Sequence, residues 1–269
     1  MRYPPTSADL PTSLPAINGR PVRDVARGAF PRRGSSARSP RPTALVLDLF
    51  GTLVAAPSTV ERSIAASRIA EVLRVSPVIV EFALAGSWQA RHDGRLRTTV
   101  EVAEHLVGRC NASDSCVKGL EQLLARLARA RLQADVVLLR ALGELRRGGV
   151  RLAVLSDASA DIAEAWRHSD LAPYFDVVVF SCRAGAVKPE LRLFSETLAA
   201  LRAAPEQVLY CGDGGGDELA GAESAGMRAV RVDRRGGSHC LAFGETAWPG
   251  RTIPRVEALP SLLSTWTRR

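Results

Sequence analysis

Two aspartates and one lysine lie at positions of the sequence where their side chains could carry out nucleophilic substitution. Asp48 ends one apolar run, Asp213 ends another, and Lys188 precedes a proline in a predicted loop. A carboxylate is ionised at neutral pH and attacks phosphorus or carbon without a general base to activate it. A lysine ammonium neutralises negative charge on a substrate and keeps a neighbouring carboxylate ionised. We therefore predict that Asp48 is the catalytic nucleophile and that Lys188 is a second catalytic residue.

Acidic residues near Asp213 fit a divalent metal site. Three glycines separate Asp213 from Asp217, and like charges this close destabilise one another unless a cation lies between them. Mg²⁺ takes hard oxygen ligands and few protein carboxylates. We predict Mg²⁺ as the cofactor, with Asp48, Asp213 and Asp217 among its ligands.

Small and hydroxyl-bearing residues follow the same apolar runs and are predicted to bind the transferred group. Thr52 and Ser156 would donate hydrogen bonds to that group. Gly51 would let the backbone come close to it, and Asp157 is a further candidate ligand. The alternative interpretation of Asp157 is a cap of the helix that follows it, because aspartate is a favoured N-cap residue.

The elements that must position these residues alternate along the chain from Thr43 onward. Short continuous apolar runs alternate with helical patterns, as in parallel strands that are covered on both faces. The predicted strands are 44–48, 150–156, 176–181, 208–213 and 228–232. The predicted helices between them lie near 136–147, 159–168, 189–203 and 217–225. We predict an α/β fold with a doubly wound parallel sheet, whose strand ends carry the site.

The interval between the first two strands breaks this alternation. Helical spacing of apolar residues predicts four helices there, near 58–74, 77–91, 98–109 and 113–132. The last of them has an arginine-rich face, which either attracts an anionic substrate or is simply solvated. We predict an inserted helical-bundle cap domain over 57–133, with the core formed by 43–56 and 134–269.

Composition restricts the partners and the location of the protein. Residues 1–40 hold seven arginines, two aspartates and seven prolines, and we predict a disordered tail over 1–42. Because this segment supplies most of the net charge of +8, we predict no nucleic-acid partner. No apolar run approaches the roughly 20 residues of a membrane span, so no membrane partner is expected. Five cysteines without a CxxC pair favour a reducing, cytoplasmic location.

Four short motifs occur in a fixed order: DLFGT (48–52), LSD (155–157), VKPE around Lys188, and GDGGGDE (212–218). In these motifs, and over residues 43–235, the chain resembles the haloacid dehalogenase-like (HAD) hydrolase superfamily. It is most similar to the subfamily I type, with a helical C1 cap after the first strand. The resemblance implies a sheet ordered 3-2-1-4-5, Asp48 on the central strand, and a covalent aspartyl intermediate. It also implies that Phe50 belongs to the set of metal ligands.

Phe50 departs from the pattern of the phosphatases that the chain resembles. They usually carry a second aspartate at this position, which protonates the leaving oxygen and then activates water. Phenylalanine cannot transfer a proton, and loss of general acid–base help costs about 10²–10⁴-fold in rate. We expect Asp217, Glu218 or a residue of the predicted cap to activate the water instead.

Two families of reaction fit this departure. Haloacid dehalogenases are similar to the chain in having an aromatic residue at position 50, and halide leaves unprotonated. They need no metal, however, whereas Asp213 and Asp217 make sense mainly around Mg²⁺. We predict a Mg²⁺-dependent phosphatase acting on a small phosphorylated metabolite. The alternatives are a 2-haloacid dehalogenase-like hydrolase with a halogenated substrate and a weakly active or non-catalytic binding protein.

Overall fold

The structure is a computed structural model that describes residues 41–234 and 248–266. Almost all of the predicted tail over 1–42 lies outside these residues. Residues 235–247 and 267–269, which belong to the predicted core, also lie outside them.

A parallel sheet forms the centre of the described residues, with six strands in the order β3-β2-β1-β4-β5-β6. The strands are β1 (Ala44–Leu47), β2 (Arg151–Ser156), β3 (Val177–Phe180), β4 (Val208–Gly212), β5 (Arg228–Val232) and β6 (Thr252–Ile253). The predicted α/β class and the order 3-2-1-4-5 are thereby confirmed. The two-residue β6 extends the sheet beyond the predicted set, because so short a strand leaves no apolar run in the sequence.

The central strand explains why the apolar runs are continuous. All four residues of β1 are buried. Leu45 and Leu47 pack into the apolar cluster on one face of the sheet, and Ala44 and Val46 pack into the cluster on the other. Successive side chains of a strand point to opposite faces, so a strand covered on both sides needs apolar residues at every position.

Strand register brings the predicted site residues to one edge. Leu47 at the end of β1 pairs with Val154 of β2 and with Cys211 of β4. Since β2 ends at Ser156 and β4 at Gly212, the carboxyl ends of these three neighbouring strands lie within two residues of the same level. The residues that follow them come together at the edge where parallel sheets bind their ligands.

Helices form in each of the four segments predicted between β1 and β2. They are α1 (Thr59–Leu73), α2 (Pro77–Gly86), α3 (Trp88–His92), α4 (Thr99–Arg109) and α5 (Val117–Arg131). The single helix predicted over 77–91 is wrong in one respect, since Ser87 separates α2 from α3. Capping boxes begin α1 at Ser58 and α4 at Thr98, as expected for helix starts. The boundaries 57–133 of the cap stay a prediction.

The remaining helices flank the sheet. They are α6 (Val136–Arg147), α7 (Ala160–Ala165), α8 (Ser181–Ala184), α9 (Leu191–Leu201), α10 (Glu218–Ser224) and α11 (Leu259–Ser264). Short 3₁₀ turns occur at Asp114–Cys116, Trp166–His168, Ala172–Tyr174, Pro205–Gln207 and Val256–Ala258. Within residues 41–234 and 248–266, no helix combines the length and the apolar character that crossing a membrane requires.

Candidate active site

Asp48 and Lys188 form a buried ion pair at the carboxyl end of β1. The backbone N–H of Asp48 donates to Cys211 O at 2.9 Å, which continues the pairing of β1 with β4 beyond the strand. The side-chain Oδ1 of Asp48 accepts a hydrogen bond from Lys188 Nζ at 2.6 Å. The structure therefore brings the two predicted catalytic residues into contact.

Asp157 fixes the loop that carries Lys188. Its Oδ1 accepts a hydrogen bond from the backbone N–H of Lys188 at 3.0 Å. The N-cap residue of α7 is Ser159, so the carboxylate of Asp157 holds a neighbouring loop and is not that helix's N-cap. Burial raises the pKa of Asp157, although attraction to Lys188 acts in the opposite direction. Its predicted contact with substrate stays a prediction.

Glu218, which the sequence suggested only as a residue to act on the water, belongs to the buried ion-pair network of Lys188. It is only 1% exposed, and its Oε2 accepts hydrogen bonds from Lys188 Nζ and from Tyr210 OH, the latter at 2.7 Å. Its Oε1 accepts from the backbone N–H of Gly214 at 3.1 Å. The sequence did not distinguish Asp217 from Glu218 as the partner of Asp213. The two acidic residues are adjacent, and a loop could connect Asp213 to either of them.

The backbone at Asp217 decides between these two neighbours. Asp217 has φ +55°, in the left-handed region, and its side chain is exposed, whereas Glu218 begins α10 and is buried. Gly212 leaves room for the buried carboxyl group, since a Cβ atom there would lie 2.6 Å from Glu218 Cδ. Asp217 does not belong to the group of carboxylates formed by Asp48, Asp213 and Glu218, and its role as a metal ligand stays a prediction.

Three carboxylates converge at the end of β1. Asp48, Asp213 and Glu218 each offer an oxygen atom, and these atoms lie within 4.8 Å of one another. Gly51 allows the first motif to approach the fourth: its φ is +81°, and a Cβ atom there would lie 2.8 Å from Asp213 Cγ. Hard oxygen donors in this number suit Mg²⁺. Phe50 can add only its backbone carbonyl, and that contribution stays a prediction.

The charge balance of this cluster favours an added cation. Burial raises the pKa of Asp48 well above its ordinary value, and repulsion from Glu218 and Asp213 adds to the effect against the attraction of Lys188. Burial and Glu218 likewise raise the pKa of Asp213. Burial alone would lower the pKa of Lys188, but attraction to Asp48 and Glu218 raises it well above its usual range. Lys188 is the ammonium at this cluster and Arg231 also attracts Asp213, but the repulsion among the three carboxylates remains, and a divalent cation would relieve it.

Of the predicted phosphate-binding residues, Thr52 and Ser156 are buried, and Gly51 and Asp157 are half-buried. Thr52 is fully buried, and its Oγ1 has no hydrogen-bond partner among the described residues. A buried hydroxyl without a partner is costly, and an oxygen of a bound phosphoryl group would satisfy it. Ser156 ends β2 and is 1% exposed. Contact of Gly51, Thr52 and Ser156 with substrate stays a prediction.

Comparisons with known proteins agree on a family. A sequence model described as haloacid dehalogenase-like hydrolase matches residues 42–226. A segment of 94 residues, 35% of the chain, is 40% identical to phosphoserine phosphatase of Thermus thermophilus and spans 38% of that protein. The matches to curated relatives span between 34% and 40% of their lengths.

Solved structures share the fold. 2-Haloacid dehalogenase from Pseudomonas syringae pv. Tomato DC3000 superposes with a TM-score of 0.61 at 23% identity, over 84% of this chain and 99% of that one. A HAD phosphatase from Thermococcus onnurineus superposes with a TM-score of 0.59 at 21% identity, over 82% and 97% of the two chains. Because one fold serves many reactions, the shared fold does not identify the reaction, which depends on the residues of the site.

Proposed function

Because the chain belongs to the haloacid dehalogenase-like hydrolase family, we propose that it is a Mg²⁺-dependent phosphatase of a small phosphorylated metabolite. The observation that supports this choice is the convergence of the buried Asp48 and Glu218 with the half-buried Asp213, in which Lys188 forms ion pairs with the first two. Their mutual repulsion makes physical sense when a divalent cation is bound. Displacement of halide from carbon gives no comparable reason to collect three carboxylates.

In the proposed first step, Asp48 attacks the phosphorus atom of the substrate. Lys188 contacts Oδ1 of Asp48, so the other carboxylate oxygen forms the new O–P bond while the ester O–P bond breaks. The electron pair of that bond leaves with the alcohol oxygen. Lys188 offsets negative charge, and Thr52 donates a hydrogen bond to a phosphoryl oxygen. Mg²⁺ held by Asp48, Asp213 and Glu218 would supply electrostatic stabilisation of the transferred group.

In the proposed second step, water attacks the phosphorus atom of the aspartyl phosphate and releases inorganic phosphate with regeneration of Asp48. Phe50 can neither protonate the departing oxygen nor take a proton from water. Glu218 is engaged by Tyr210, Lys188 and Gly214. The proposal therefore includes a preference for substrates whose alcohol leaves readily as an anion, with turnover about 10²–10⁴-fold below that of an enzyme with an acid at position 50.

A second candidate function rests on Phe50 itself. Halide departs from carbon without a proton, so a dehalogenase acting through Asp48 needs no acid at this position. In that reaction Asp48 would displace halide from a 2-haloacid, and water would hydrolyse the resulting ester.

A panel of two substrates separates these functions. We propose to measure phosphate release from p-nitrophenyl phosphate and halide release from 2-chloropropionate, each with Mg²⁺ and with chelator. The phosphatase releases phosphate only with Mg²⁺, whereas halide release in chelator would identify the dehalogenase. Absence of both activities, with thermal stabilisation by Mg²⁺ and a phosphate analogue, would indicate a non-catalytic binding protein. Asp48→Asn should abolish either activity, and activity retained in this variant would reject the nucleophile.

A small-molecule substrate and a cytoplasmic location belong to the same proposal. Among the described residues, Cys110, Cys116, Cys182 and Cys211 are free thiols. Free thiols are usual for proteins of a reducing compartment.

A further inference from the structure

Tyr210 lies in β4 with its ring in an apolar layer and its hydroxyl at the carboxylate cluster. The residue is completely buried, and its ring packs edge-on against Phe194 with centroids 5.7 Å apart. Its hydroxyl donates to Glu218 Oε2 at 2.7 Å and lies 3.5 Å from Lys188 Nζ. A phenylalanine would fill the same apolar space, so packing against Phe194 does not explain the hydroxyl.

The hydroxyl completes a set of donors that holds Glu218 from three sides. Gly214 N–H binds Oε1, while Lys188 Nζ and Tyr210 OH both bind Oε2. A glutamate has one more rotatable bond than an aspartate, so it needs more contacts to stay in a single orientation. Lys188 in turn contacts both Glu218 and Asp48, and its position depends on where Glu218 is held.

We infer that Tyr210 is a positioning residue, which holds Glu218 so that Lys188 Nζ stays between Glu218 and Asp48. It acts mainly through Glu218, because its hydroxyl lies 2.7 Å from Glu218 Oε2 and only at the longer distance of 3.5 Å from Lys188 Nζ. The kinetic consequence rests on the proposed phosphatase function. The placement of Lys188 does not, and it can be tested without turnover.

The small number of lysines makes this placement directly observable. The chain contains Lys118 and Lys188 and no other lysine, and Lys118 is exposed on α5. In metal-free protein labelled with ¹⁵N-lysine, we expect two Nζ signals, with slow proton exchange only at Lys188. Tyr210→Phe should shift the Lys188 signal and accelerate its proton exchange, and it should leave Lys118 unchanged. Tyr174→Phe, at a half-buried tyrosine outside the network, is the matched control and should change neither signal.

A double-mutant cycle tests whether Tyr210 acts through Glu218. With p-nitrophenyl phosphate and Mg²⁺, Tyr210→Phe should lower kcat about tenfold, the loss expected for a hydrogen bond to a charged group, with KM within about twofold. In a Glu218→Gln background the same change should have a much smaller effect, because the charged acceptor is gone and only the 3.5 Å contact with Lys188 Nζ is left. Independent, additive effects would overturn the inference.

The two measurements keep this inference separate from the proposed function. If the wild type fails to hydrolyse the phosphate ester, the function is wrong and the lysine signals still test Tyr210. An unchanged Lys188 signal in folded Tyr210→Phe overturns the inference even if the enzyme is a phosphatase. Should Tyr210→Phe fail to fold, Glu218→Gln takes its place, with a shifted Lys188 signal expected and an unchanged one contradicting the role of Glu218.

Discussion

Lys188 Nζ lies 2.6 Å from Asp48 Oδ1, and the side chain of each residue is only 6% exposed. The two residues are 140 positions apart in sequence, so the sheet and the loop before α9 must both form before they meet. An isolated charge at this depth would be costly, and Glu218 and Asp157 add hydrogen bonds that hold the lysine in place. This pair is the centre of the proposed chemistry.

Lys188→Met should abolish the ion pair and leave Asp48 to repel its acidic neighbours. We expect at least a 10²-fold loss of kcat/KM on p-nitrophenyl phosphate, since an ammonium that offsets charge in a buried site contributes at least this much. Lys118→Met removes the other, exposed lysine and should keep full activity. If Lys188→Met retained a tenth of wild-type activity, the role of this lysine would have to be abandoned.

Thr52→Val should weaken substrate binding and leave the folded state as stable as before. The Thr52 hydroxyl is buried without a partner among the described residues, so its removal costs no protein hydrogen bond. We expect an unchanged or higher melting temperature and a several-fold higher KM for a phosphate ester.

Thr197→Val is the matched control for that substitution. Thr197 is equally buried, but its hydroxyl donates to Leu193 O at 2.7 Å within α9. The Thr197→Val variant should lose about 1 kcal/mol of its free energy of unfolding and keep the wild-type KM for the phosphate ester. An unchanged KM in Thr52→Val would remove Thr52 from the binding site.

The strands were predictable because burial on both faces forces continuous apolar runs, which β1 illustrates completely. The order of motifs along the chain then identified the edge at which Asp48, Lys188 and Asp213 meet. The choice between Asp217 and Glu218 was not predictable, because it depends on the left-handed backbone of Asp217 and on the space that Gly212 leaves. Neither conformation nor close packing is encoded in residue spacing alone.

The role of Tyr210 was hidden for a related reason. In sequence it is one more large residue in a buried strand, and only the register of β4 shows that its hydroxyl meets Glu218. The break at Ser87 and the short strand β6 were missed as well, since both are set by packing around them.

Phe50→Asp should raise turnover if the missing acid limits the reaction. We expect the largest gain, about tenfold or more, on alkyl phosphates, because their alcohols leave poorly without a proton. The comparison of alkyl with aryl phosphates, both with Mg²⁺, is the measurement. Phe82→Asp adds the same charge at a residue of α2 that is 74% exposed and should have no effect. Equal rates in Phe50→Asp and wild type would assign the proton transfer to another residue.

His92 should make the protein less stable in acid. Burial and the nearby Arg91 lower the pKa of His92 to about 4, although its Nδ1 bonds to Trp88 O at 2.7 Å. In the unfolded chain the pKa is near 6.5, so between these two values the unfolded state binds more protons than the folded state. The contribution of neutral His92 to the free energy of unfolding is therefore complete above about pH 6.5 and is lost as the pH falls towards 4. The loss is at most about 3 kcal/mol.

The measurement for His92 is the free energy of unfolding of wild type and His92→Gln at a series of pH values. The difference between the two proteins should change across this window and be constant above it. A difference that is independent of pH between 4 and 6.5 would show that His92 is protonated equally in both states.

Chemical trapping of the intermediate tests the proposed mechanism most directly. Borohydride added during turnover of p-nitrophenyl phosphate with Mg²⁺ reduces an aspartyl phosphate to the corresponding alcohol, homoserine, which peptide mass spectrometry locates in the chain. We predict this product at position 48 in the wild type, and its absence when chelator replaces Mg²⁺ or when substrate is omitted. Turnover of the phosphate ester with Asp48 unreduced, or with the reduced residue elsewhere, would contradict the assignment of Asp48 as the nucleophile.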